Sequence, residues 1–113
     1  MPVRSLNSLV LKWPSREAVL AAAEAWARAL RSRDSRVLAV GVFGSYARGN
    51  AGVGSDLDLV VIVRDGSGAP LFDATGLPVP ADVVVFEEAR WALARAQATG
   101  IARTIAGEAR WME

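Results

Sequence analysis

The chain contains no cysteine and no histidine. Without cysteine there are no disulfides, no thiol nucleophile and no thiolate zinc site. Without histidine the commonest general base and the usual imidazole metal ligand are gone, and serine–histidine–aspartate catalysis is excluded with them. Any metal must then be held by oxygen, which favours magnesium, manganese or calcium. Lysine is almost missing: of 13 basic residues only Lys12 is one, and the arginines include Arg28, Arg31, Arg33 and Arg36 close together. That bias reads as the codon composition of a GC-rich genome before it reads as an anion surface. Long apolar runs are lacking too. The strongest, Leu59–Val63, falls far short of the ~20 residues that cross a bilayer. No charged-then-apolar start resembles a secretory signal, so a cytoplasmic protein with no membrane partner is expected. A net charge of +1 gives no bulk attraction to nucleic acid, and direct nucleic-acid binding is not indicated.

What is present suffices for a core. The 113 residues, 52% of them apolar, suit one domain over residues 1–113. Leu9-Val10-Leu11 has the character of a short strand that Pro14 ends. From Ser15 to Arg33 the positions Val19, Leu20, Ala23, Trp26, Ala27 and Leu30 recur at helical spacing, with Ser15 as cap and Glu17 in the first turn. Val37 to Phe43 reads as a strand buried on both faces, and Asp56 to Val63 as a second. Residues 65–80, rich in Gly, Pro and Asp, read as a loop with room for a small hairpin. Asp82 to Phe86 reads as a third strand, Glu87 to about Thr99 as a helix, and Ile101 to Ala106 as its short continuation. Ala109 to Met112 is a last strand or an ordered tail. Clustered strands flanked by helices predict an α+β or mixed α/β sheet.

Asp56 and Asp58 stand two apart at the start of an otherwise aliphatic strand. Period two puts both carboxylates on one face, with Leu57 on the other. Two carboxylates so close repel, and a divalent ion between them removes the penalty. Magnesium suits such a site, since it takes one or two protein carboxylates and completes its shell with phosphates and water. Asp82 also opens a strand. If that strand lies beside the first, three carboxylates share the rim, enough for two metals ~3.5–4 Å apart, as used for in-line displacement at phosphorus. Each aspartate alone reads as readily as a turn or cap residue; the segment upstream shifts the balance. Gly44-Ser45 follows a buried strand and opens a possible short helix, where backbone N–H groups face an anion and Gly permits close approach. The Ser45 hydroxyl adds a donor, and Arg48 lies within reach of the same phosphates with a bidentate fork. Two other phosphate motifs fail. Gly49 to Ser55 lacks the lysine of a P-loop, and Gly52-Val53-Gly54 precedes a strand instead of a helix.

Gly44-Ser45-Tyr46-Ala47-Arg48-Gly49, six residues, then Asp56-Leu57-Asp58-Leu59, resembles the signature of the DNA polymerase β-like nucleotidyltransferase superfamily, in particular its minimal stand-alone members. Ala81-Asp82-Val83-Val84-Val85 is similar to that family's third-carboxylate strand, and Ile105 to Trp111 to its usual ending. The resemblance runs from about Val37 to the C-terminus. It implies the polymerase β-like palm fold, α+β with a small mixed sheet flanked by helices. It implies that Gly44 and Ser45 hold a triphosphate, that Asp56 and Asp58 ligate Mg2+, and that Asp82 completes a second metal site and helps deprotonate the attacking hydroxyl. Mn2+ is an accepted substitute in such a site. Arg48 and Ser55 complete the nucleotide-binding candidates. The implied reaction is transfer of a nucleoside monophosphate, AMP from ATP, with release of pyrophosphate. Small members of this class often accompany a helical HEPN-domain protein as a toxin–antitoxin pair, so such a partner is expected as acceptor, or else a second copy of the chain. The alternative is an antitoxin that masks its HEPN-type partner by contact without catalysis. Two departures stand out: Tyr46 occupies a place where many relatives carry Arg or Lys, and the loop from Asn50 to Gly54 carries less charge than usual.

Overall fold

The computed structural model describes residues 13–68, 72–97 and 100–112, so the strand expected at Leu9-Val10-Leu11 lies outside the described residues. The first helix, α1, runs over Arg16–Arg33. Ser15 caps it, its Oγ accepting the Ala18 N–H at 3.1 Å, and Glu17 sits in the first turn where the helix dipole favours an anion. Val19, Ala23, Ala27 and Leu30 form its buried stripe. Leu20 and Trp26, expected on the same face, are half-buried at its flanks. Trp26 turns its polar edge to use, donating from Nε1 to the Asp73 carbonyl at 2.9 Å.

The sheet has four strands: β1 (Val37–Phe43), β2 (Leu57–Val63), β3 (Ala81–Glu87) and β4 (Arg110–Met112), ordered β3-β2-β1-β4. Between β1 and β2 lies a one-turn helix, α2 (Ser45–Arg48); α3 (Glu88–Gln97) and α4 (Gly100–Glu108) follow β3. β1 pairs antiparallel with both β2 and β4, whereas β2 and β3 are parallel. This is the small mixed sheet of an α+β fold. Residues 64–68 and 72–80 form turns and no hairpin, and the C-terminal segment is a strand and not a tail. β2 begins at Leu57, one residue later than expected, with Asp56 exposed just ahead of it.

Period two divides β2 between two cores. Leu57 and Leu59 pack with Val19, Ala23 and Val42, and Val61 and Val63 with Ala27 and Leu30, all beneath α1. Val60 and Ile62 point the other way, into a cluster with Phe43, Trp91, Ala102 and Ile105 beneath α3 and α4. A strand covered on both faces must be apolar at every position, which is what Leu59–Val63 provides. No described helix is long and apolar enough to cross a membrane.

The two C-terminal tryptophans divide as an interior and a rim residue. Trp91 is buried at 8% exposure, while Trp111 is 43% exposed and meets the Trp91 ring edge-on at 5.9 Å. Gly41 makes room for this: a Cβ there would stand 2.9 Å from Trp111 Cε3 and 3.2 Å from Val60 Cγ1. Gly41→Ala is therefore expected to cost about 1–3 kcal/mol by overpacking at the β1–β4 seam. Urea denaturation measures it, and an unchanged midpoint would show that Trp111 does not seat on Gly41.

Candidate active site

The parallel pairing of β2 with β3 builds the site. The Leu57 N–H donates to the Pro80 carbonyl at 2.8 Å and sets the register, which places Leu57 opposite Ala81 and Asp58 opposite Asp82. Neighbouring strands lie ~4.8 Å apart and partners in register share a face, so Asp58 and Asp82 stand side by side. Both belong to the face of Val60, Ile62, Val84 and Phe86, at the end of the strands that α3 leaves open. Asp56 precedes them at the rim.

The antiparallel partner brings the third side. Phe43, the last residue of β1, pairs with Asp58, so the chain leaves β1 directly over that carboxylate. Gly44 there has φ 75° and ψ −154°, a conformation reserved for glycine, and a Cβ would collide with Asp58 Oδ2. The turn then winds into α2, where the Gly44 carbonyl accepts from Ala47 and Arg48 N–H at 3.0 Å each. Gly49, left-handed at φ 87°, closes it with its N–H on the Ser45 carbonyl. The first amides of such a turn have no partner within it, and Ser45 Oγ makes no hydrogen bond to another described residue. Gly44-Ser45 and the Asp58–Asp82 pair thus face one another across the open end of the sheet.

Other candidates have different surroundings. Arg48 does not stand free: its Nη1 lies 3.2 Å from both Oε1 and Oε2 of Glu108, the last residue of α4. The same Glu108 Oε1 accepts the Gly44 N–H at 2.8 Å. Ser55 closes its own loop, its Oγ accepting the Gly52 N–H at 2.9 Å. Tyr46 is buried at 2% exposure among Val19, Val42 and Leu57. It anchors α2 from below, its ring packed into the core beneath α1. Its carbonyl accepts from Arg16 Nε at 3.0 Å, tying the turn to the start of α1. Glu108 lies inside the family-like ending Ile105 to Trp111 but was assigned no role there. A signal for it existed, because it lies three residues beyond Ile105 on the buried stripe of α4, where a carboxylate needs a reason to be.

The electrostatics are lopsided. The Asp58 carboxyl is raised above its ordinary value, first by burial, then by the charges of Asp82 and Asp56; Glu108 adds to the effect and Arg48 opposes it. Excess negative charge held in a half-buried position is where a hard cation gains most. The donors are carboxylate oxygens, the set that magnesium and manganese accept. Among the described residues no three acidic side chains already converge into a metal cage. An ion here would draw further ligands from phosphate oxygens and water, as magnesium commonly does.

The family model described as Nucleotidyltransferase domain matches residues 24–111. The chain belongs to the nucleotidyltransferase domain family. The match takes in the second half of α1, which the motif residues alone did not include. A solved structure from Sulfolobus solfataricus, provisionally assigned as a nucleotidyltransferase, superposes with a TM-score of 0.55 at 19% identity, over 85% of this chain and 80% of that one. A second, a toxin–antitoxin with AMP-PNP, superposes with a TM-score of 0.50 at 14% identity, over 87% of this chain and 72% of that one. At these identities the likeness is one of fold. The comparison with curated proteins finds no match.

A stability consequence follows for this nucleotidyltransferase domain. A carboxyl whose value is raised by folding favours the folded state when protonated, and that contribution is lost as pH rises through the raised value. Ionised Asp58 therefore costs the metal-free fold stability near neutral pH. Asp58→Asn is expected to raise the melting temperature by a few degrees at pH 7, with the gain shrinking as pH falls toward the ordinary value of 3.8. A gain that is the same at both pH values would contradict the electrostatic origin.

Proposed function

We propose that this domain is a metal-dependent nucleotidyltransferase that transfers AMP from ATP to a hydroxyl of a partner protein. The observation that carries the reading is the register that sets Asp58 beside Asp82, opposite the Gly44-Ser45 turn. Asp56, Asp58 and Asp82 are the residues to hold divalent metal, Mg2+ with Mn2+ as substitute, whose chemistry is to neutralise charge on the phosphates and on the attacking oxygen. The Gly44-Ser45 turn gives amide and hydroxyl donors to the triphosphate, with Arg48 alongside and Ser55 shaping the loop beneath. The acceptor oxygen attacks the α-phosphorus, the bond from that phosphorus to the bridging oxygen of pyrophosphate breaks, and Asp82 takes the hydroxyl proton. The glycine at 44 lets the triphosphate approach the backbone, where any side chain would push Asp58 away.

A protein acceptor is the reading that best suits the fold's company. A toxin–antitoxin with AMP-PNP shares this fold, and the sequence motif resembles that of small transferases that often accompany helical HEPN-domain proteins. The test is incubation with α-labelled ATP, Mg2+ and the protein encoded beside this one. Labelled AMP is expected on that protein, and Asp58→Asn is expected to lower the rate more than about a hundredfold, since even residues that only support metal ligands cost 10–100-fold. Transfer that survives the substitution would refute the catalytic reading. An Asp58→Asn protein that still neutralises its partner would identify masking by contact as the activity.

A further inference from the structure

Glu108 is the one acidic side chain of α4, and it reaches across 64 residues of sequence to the Gly44 amide. This is more than a surface ion pair. One oxygen accepts a backbone N–H at 2.8 Å while both lie 3.2 Å from Arg48 Nη1, and the Glu108 side chain is only 18% exposed. Its support is rigid on both sides. Upstream, Ala102 and Ile105 lock α4 into the cluster with Phe43, Val60 and Trp91. Downstream, the Ala109 N–H returns to the Ile105 carbonyl at 2.8 Å and β4 pairs at once with β1, Arg110 against Val42. Arg48 is 48% exposed and is held through one nitrogen; its Nη2 and Nε make no hydrogen bond to another described residue.

We propose that Glu108 is the positioning residue of the nucleotide site: its carboxylate clamps the Gly44 amide and Arg48 Nη1, so that the turn and the guanidinium hold their remaining donors toward a triphosphate. The inference rests on the nucleotidyltransferase reading above. A guanidinium fixed at one edge by a carboxylate keeps its planar fork in one orientation, which lowers the ordering cost when the other edge meets phosphate. The clamp also makes the site depend on the seating of the C-terminal helix and strand, elements that contribute none of the metal-ligand candidates. Glu108 touches no reacting atom in this scheme and acts through Gly44 and Arg48.

Calorimetric titration of the whole chain with ATP and with AMP, both in Mg2+, tests this. Glu108→Ala loses both contacts and is expected to weaken ATP binding about tenfold or more, since charge-assisted hydrogen bonds carry most of such an orientation. Glu108→Gln keeps an acceptor for the Gly44 amide, should melt close to the unchanged protein, and is expected to recover part of that loss. AMP, without the β- and γ-phosphates, should change by less than about twofold, which a general loosening of the fold would not spare. In Arg48→Ala, adding Glu108→Gln should cost little more. Unchanged ATP affinity in both Glu108 variants would overturn the inference while leaving the nucleotide site standing. Tighter ATP binding in either would overturn it too, because the carboxylate would then be a competitor of phosphate. If the unchanged protein binds no Mg2+–ATP at all, the nucleotidyltransferase reading fails and the inference with it. Should Glu108→Ala not fold, Glu108→Gln and the Arg48 pair carry the test alone.

Discussion

Two strands that run the same way begin at the same edge of a sheet, and the pairing of β2 with β3 turns that geometry into a site. Antiparallel neighbours would have put Asp58 and Asp82 at opposite ends. The parallel register puts them side by side, where the Asp82 charge, added to burial, makes ionisation of Asp58 harder and a cation between them more welcome. β1, antiparallel to β2, then ends where β2 begins, so the Gly44 turn arrives on the same rim. Three elements far apart in sequence converge because of strand direction alone.

Everything beneath that rim serves to hold it. Leu57 and Leu59 are buried against α1 on one face, and Val60 and Ile62 against Trp91 and Ile105 on the other. Buried Tyr46 fixes α2 from below. Such packing supports an arrangement of like charges that would otherwise push apart, and the cost falls on the metal-free protein. On the proposed reading, the binding free energy of a cation would offset that repulsion. This is the usual relation between a strained polar site and the apolar core around it.

Much of this was legible in the residues. The stripe of α1 and the aliphatic runs of β1, β2 and β3 limited the fold to an α+β or mixed α/β sheet, and the family resemblance of the motif from Gly44 to Asp58 chose the α+β palm and pointed to the rim. The order of strands was not legible, because Val83, Val84 and Val85 suit a parallel or an antiparallel neighbour equally; the Leu57 to Pro80 hydrogen bond decides it. Tyr46 stood out in sequence only as a departure from the Arg or Lys of many relatives; its burial shows it to be a core anchor. Trp91 and Trp111 were indistinguishable in sequence, since each is an aromatic near the C-terminus; only Gly41 and the β1–β4 seam separate them. Glu108 needed the fold most of all. Its place on the apolar stripe of α4 marks it as unusual, but not what it meets, because the backbone amide that explains it is 64 residues away.

The central claim is that one rim gathers metal and nucleotide between the Gly44 turn and the paired aspartates. Paramagnetic broadening of backbone amide signals by Mn2+, added with a non-hydrolysable ATP analogue, reads that location directly. The account predicts broadening centred on Gly44-Ser45, on Asp56 to Asp58 and on Ala81-Asp82, lost when excess Mg2+ competes. Broadening centred on any other surface, or none when the analogue is present, would contradict it.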